Sequence, residues 1–185
     1  MKYQQTLLKM KNFFLSLMAF FTVATANAAP VEINPIKDTL EDLAYMFNHE
    51  KKDPIYKLEL LKNKKLDFSY ESLKLVDQYL LELRKTNLDK LSNEQYTRIV
   101  LRTGAYVGET IRRNDKSKKW NWVDFENAQK LNPQFFNDSQ DSFAYAAVLT
   151  DGAQFTFPLN KVMKFLANGE EDSLYFYAIS SAKQQ

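Results

Sequence analysis

The chain has 185 residues, with 25 basic and 23 acidic side chains, 14 phenylalanines, 10 tyrosines, two tryptophans, one histidine and no cysteine. That composition excludes a disulfide scaffold and a cysteine- or histidine-rich zinc site, and it leaves His49 as the sole base from which a Ser-His-Asp triad could be built. The near balance of charge gives no support to general nucleic-acid binding.

The first 28 residues read as a secretory signal. Lys2, Lys9 and Lys11 precede any acidic residue, the stretch from Phe13 to Ala24 is almost wholly apolar, and Ala26-Asn27-Ala28 places small residues where signal peptidase cuts. A bilayer span needs about 20 apolar residues, and this run is shorter. The expectation is therefore cleavage after Ala28, a periplasmic or secreted domain of residues 29–185, and no stable membrane anchor after cleavage. Without those three lysines, 22 basic residues face 23 acidic ones, a net charge of −1. A chain of this size can bury enough surface to fold as one domain without cross-links.

Asn34-Pro35 predicts a helix start, with Ile36, Leu40, Leu43 and Phe47 on one stripe up to about Asn48. Residues 50–65 are open between helix and strand, because Asp53-Pro54 suggests a helix while Tyr56, Leu58 and Leu60 alternate with charges. Ser69 predicts the cap of a second helix that buries Leu73, Val76, Leu80 and Leu83 and ends near Lys85. Ser92-Asn93-Glu94-Gln95 is a capping box for a third helix, which runs to about Arg113 with Tyr96, Ile99, Val100, Thr103, Val107 and Ile111 on one side. Strands are then expected over Trp120–Phe125, over Ser142–Leu149 and Ala153–Phe157 on either side of the turn Thr150-Asp151-Gly152, and over Leu174–Ile179. A short helix starts at Pro158 and stops at Asn168-Gly169. Helices first and strands later imply an α+β fold, with a small antiparallel sheet packed on the helices.

Several residues invite a functional reading. Gly104 and Gly108 each cost a helix about 1 kcal/mol relative to alanine, so close packing, expected on the second helix, should offset them. Glu109 falls among Arg98, Arg102 and Arg113 on the helical wheel and reads as a paired surface carboxylate unless the sheet covers that face. Asp77 lies at the edge of the second helix's stripe, with Arg84 as its expected partner. As a glycosidase-like pair, Asp77 and Glu109 would need about 5 to 9.5 Å between carboxyls, and their wheel positions argue against a shared cleft. No nucleotide-binding loop, nucleophile elbow, cofactor motif or metal-ligand spacing is present. The cationic run Arg112-Arg113-Asn114-Asp115-Lys116-Ser117-Lys118-Lys119 leads into Trp120-Asn121-Trp122, whose two rings share one strand face. Arg112, Arg113, Lys118, Lys119, Trp120 and Trp122 are thus the candidate recognition edge, since arginine and aromatics favour protein interfaces. Core packing is the competing role for the tryptophans.

The segments Leu66-Asp67-Phe68-Ser69 with Ser72-Leu73 and Asp77-Gln78-Tyr79-Leu80, then Gly104-Ala105-Tyr106-Val107-Gly108-Glu109, and later a tryptophan strand, resemble an exported bacterial domain family of unknown function, with an S-L-x-x-x-D-x-Y-L helix and a G-A-Y-x-G-E helix. The resemblance spans roughly residues 66–179. It implies an α+β fold, supplies no activity, and marks Asp77, Gly104, Tyr106, Gly108 and Glu109 as motif positions. Three functions follow as expectations. The first is an envelope binding protein that inhibits a secreted toxin, as an immunity protein would. The second is an accessory factor that holds cell-wall glycan. The third is a hydrolase using Asp77 and Glu109.

Overall fold

In the computed structural model of the protein, residues 35–137 and 142–183 are described, so the expected signal and its cleavage point lie outside the described residues. Among those described are six α-helices and a three-stranded antiparallel sheet drawn from the C-terminal half, an α+β fold. The axis of the molecule is α3 (Asn93–Asn114), about 33 Å long at 1.5 Å per residue. Its start is the expected capping box: Ser92 Oγ accepts from Gln95 N at 3.1 Å, and Gln95 Oε1 accepts from Ser92 N at 2.9 Å. Every residue from 99 to 111 is buried, so the helix is covered all round, as a central core helix must be.

Two helices precede it. α1 (Pro35–His49) lies against α3 through Ile36, Leu40, Ala44 and Phe47, a buried residue every three or four positions. α2 (Ser72–Arg84) buries Leu73, Val76, Tyr79, Leu80 and Leu83. Ser69 stands just ahead of it and accepts from Ser72 N at 3.2 Å. The segment left open between helix and strand is neither: Leu58–Leu61 form a 3-10 turn. Lys57 and Asn63 on either side take left-handed backbone angles, which end the alternation before a ladder can form.

The sheet runs β1 (Asn121–Asp124), β2 (Ala147–Thr150), β3 (Phe155–Thr156), with Trp122 opposite Leu149 and Leu149 opposite Thr156. The central strand has two covered faces. Ala147 and Leu149 enter the main core, while Val148 joins Ala128 and Phe136 in a smaller cluster on the other side. That second face is closed by α4 (Phe125–Leu131), a helix capped by Asp124, whose carboxylate accepts from Asn127 N at 2.8 Å. The expected β2–β3 turn is present: Asp151 Oδ1 accepts from Ala153 N and Gln154 N, and Gly152 sits at φ 96°. The strands beside it are shorter than expected, because Phe143–Tyr145 form a 3-10 turn before β2 and β3 is only Phe155–Thr156.

α5 (Pro158–Asn168) ends at Gly169, as expected. The last element corrects the sequence reading, because Leu174–Lys183 is a helix, α6, and not a strand. Aromatic and β-branched content suggested a strand, but Leu174, Ala178 and Ser181 form a buried stripe at helical spacing. Ser173 starts the helix by accepting from Phe176 N at 3.3 Å.

Candidate functional site

Around the C-terminal half of α3, most of the singled-out residues meet. Gly108 leaves a gap on that helix which the Trp122 ring fills, with Pro158 beside it. Gly104 does the same for Leu159 at the start of α5. The glycines therefore do serve close packing, but the neighbours are β1 and α5, and not the second helix.

The Trp122 indole then reaches Glu109, donating from Nε1 to Oε1 at 2.9 Å. Arg112 donates from Nε to Oε1 at 2.7 Å and from Nη2 to Oε2 at 2.9 Å, and Arg113 donates from Nε to Oε2 at 3.0 Å. Arg112 also pairs with Glu41 of α1. The expected surface carboxylate is thus wholly buried, because the sheet does cover that face. Burial alone pushes the Glu109 carboxyl up, but the bonds from Arg112, Trp122 and Arg113 outweigh it and hold the group below the usual range. Each oxygen already accepts two hydrogen bonds. Such a carboxylate is an acceptor that joins α1, α3 and β1, and it holds no proton to donate at neutral pH.

Asp77 has a different task. Its carboxylate accepts from Ser173 Oγ at 2.6 Å, Leu174 N at 2.9 Å and Tyr175 N at 3.5 Å, so a side chain of α2 satisfies the first free N–H groups of α6. Burial pushes its pKa up against those donors. Arg84 is not its partner; the guanidinium instead caps the carbonyls of Phe165 and Leu166 at the end of α5. Asp77 and Glu109 share no hydrogen-bond partner, and Glu109 lies inside the fold and not on the outer face that the wheel suggested.

The other motif positions are similarly placed. The Tyr106 hydroxyl lies 2.8 Å from Ser72 Oγ and accepts from Phe68 N at 3.0 Å, so it ties α3 to α2 and to the loop before it. Tyr79 donates to Tyr56 O at 2.7 Å. The resembling pattern therefore has physical content of its own: its residues are the joints between elements.

The candidate recognition edge is divided by the fold. Trp122 is fully buried and Trp120 nearly so, with Trp120 Nε1 donating to Asp115 Oδ2 at 2.8 Å. Lys118 is half-buried, bonded to Gln154 Oε1 and Ser181 O, and lies over the Trp120 ring at 5.2 Å. Arg113 and Lys119 are exposed, as is Lys116 between them. The Arg113 guanidinium stacks on the Phe68 ring, 3.9 Å from its centroid. Phe68 thereby joins this surface, and the lysines shortly before it in the chain, Lys62, Lys64 and Lys65, are exposed and were not singled out from the sequence.

Beside Trp120, a shallow hollow of about 170 Å³ is lined by Phe155, Thr156, Phe157, Tyr177, Ser180 and Ser181. Its Thr156, Tyr177 and Ser181 hydroxyls bond one another. His49 stacks on Tyr45, with its Nδ1 2.9 Å from the Tyr45 carbonyl oxygen. Among the described residues no cluster of three metal-ligating side chains occurs, and no helix is long and apolar enough to cross a membrane. Against family models, curated proteins and solved structures, the chain finds no match.

Proposed function

We propose that this chain is an exported binding protein of the cell envelope, an inhibitor or immunity protein that neutralises a toxin acting in the periplasm. The observation that carries the reading is the division of charge at the end of α3. The carboxylate Glu109 is taken up entirely inside, while Arg113, Lys116 and Lys119 face solvent. Asp77 is likewise engaged in holding α6. Both carboxylates that a hydrolytic mechanism would draw on are structural joints, and the outward chemistry is cationic, which suits recognition.

The test is survival. A strain lacking the chain is mixed with toxin-delivering competitors and complemented with wild type, with Asp77→Asn, or with Lys116→Glu/Lys119→Glu. Protection is expected from the first two and not from the third. Loss of protection with a folded Asp77→Asn, together with full protection by the charge-reversed variant, would replace binding by carboxylate chemistry. The hollow beside Trp120 favours a second reading, an accessory factor on wall glycan, because rings next to the exposed Ser180 hydroxyl suit a sugar. Sedimentation with isolated sacculi tests that reading, and a hollow variant such as Ser180→Trp should abolish it.

A further inference from the structure

We infer that Arg113, braced by Phe68 and flanked by Lys62, Lys64, Lys65 and Lys116, is the anchor of a docking face for an acidic protein segment, with the guanidinium gripping a carboxylate of the partner. The inference rests on the binding function proposed above and specifies the chemistry of the partner.

Forty-six residues lie between the two basic stretches, Lys62–Lys65 and Arg112–Lys119, and the fold connects them through one residue. Phe68 has a left-handed backbone, φ 59°, a conformation that a bulky residue rarely adopts. It is held there from both sides: its N–H donates to the Tyr106 hydroxyl at 3.0 Å, and its carbonyl accepts from Asn114 Nδ2 at 2.6 Å. The result is a ring laid under the Arg113 guanidinium. Lys65 precedes Phe68 by three residues and Lys64 by four, so neither Cα lies more than about 15 Å from that of Phe68 along the chain.

Arg113 is prepared for a ligand in three ways. Its Nε is fixed by Glu109 at 3.0 Å, and its face is fixed by Phe68. Its two terminal nitrogens have no acceptor among the described residues, and the side chain is 42% exposed. A guanidinium held at one edge and stacked on one face presents its remaining N–H fork outward, in the geometry that matches a carboxylate. Its rotamer entropy is already lost before binding, which favours affinity. Lys62, Lys64 and Lys116 are exposed and make no side-chain ion pair among the described residues, while Lys65 pairs with the exposed Asp67 at 3.0 Å. The one acid of the second stretch, Asp115, is turned inward onto Trp120 and Ser117.

An extended acidic segment fits better than a membrane. Interfacial binding needs an apolar face, and the exposed large apolar side chains, Tyr45, Leu131, Phe135 and Phe176, belong to neither stretch.

Fluorescence anisotropy of a labelled ten-residue glutamate peptide, titrated with the protein at low and at physiological salt, tests the inference. Wild type should bind in a salt-dependent way. Arg113→Ala and Arg113→Lys should each weaken binding about tenfold, the second because the charge remains and the fork is lost. Lys64→Glu/Lys116→Glu, which touches no internal bond, should abolish binding, and Lys90→Ala/Lys130→Ala/Lys164→Ala should stay within twofold of wild type. Equal losses from the two lysine sets would overturn the inference, as would Arg113→Lys binding like wild type. Binding to phosphatidylglycerol vesicles that the peptide does not compete away would overturn it in favour of a lipid surface. A chain that protects cells yet ignores the peptide would sink this inference and leave the binding function standing.

Discussion

A Cβ at position 108 would overlap the Trp122 ring, whereas one at position 104 would meet Leu159 Cδ1 at 2.9 Å and its Cα at 3.1 Å. The difference lies in what can move. A leucine methyl shifts by a few tenths of an ångström, but the indole is held by Glu109 and by the sheet. Gly108→Ala is therefore expected to lose about 3 kcal/mol, the upper end of what overpacking costs, and to melt roughly 6 °C or more below wild type. In Gly104→Ala, the helix propensity regained, about 1 kcal/mol, offsets much of the strain, so its melting temperature should stay close to wild type. Thermal unfolding of the two variants decides it; equal melting points would mean that the Trp122 ring gives way. That two glycines inside a helix must admit a neighbour was legible from the residues alone. Which neighbour was not, because the ring that enters Gly108 is Trp122, fourteen positions further on and in a strand.

The last helix is secured from outside itself. α6 begins on Asp77, a residue of α2, which accepts from two of its first backbone N–H groups. Asp77→Ala leaves those donors without a partner in a half-buried place, an effect of about 1–3 kcal/mol. Asp77→Asn keeps one carbonyl acceptor and should lose less. The loss should be local: hydrogen exchange at Leu174–Ala178 speeds up in Asp77→Ala, while the middle of α3 remains protected. Uniform acceleration across both helices would show that α6 and α3 open together. Sequence reading placed α1, α2, α3 and α5 because their caps and stripes are local. It misassigned α6 because part of what starts it, Asp77, is nearly a hundred residues away and the local cap, Ser173, was not read as one, and it missed α4 because Asp124 was read as the interior of a strand. The open segment before α2 resolved into a turn for a like reason, since left-handed Lys57 and Asn63 carry no glycine to announce them.

At the scale of the whole molecule, the arrangement of charge matters more than its total. With residues 29–185 near neutrality, the cations gathered around Arg113 leave the remaining surface net acidic, so the domain is polarised. This holds for the working protein only if the first 28 residues are removed. Protein recovered from the periplasmic fraction is therefore expected to begin at Ala29, and intact mass with N-terminal sequencing checks it; an uncut Met1 in a membrane fraction would contradict it. The α+β order of elements was legible, because each half of the chain carries its own periodicity. The basic face was only half legible. The run from Arg112 to Lys119 stood out, but its union with Lys62–Lys65 depends on a single left-handed phenylalanine.

Both tryptophans of the chain sit at the junction of α3 with the sheet, each with its indole N–H on a carboxylate. Light absorbed at 295 nm is therefore taken up almost wholly at that seam. The intrinsic emission of the protein reports chiefly the parting of the strands from the central helix. A shift of that emission to the red before helicity is lost would resolve the order in which the two halves come apart, with no label attached.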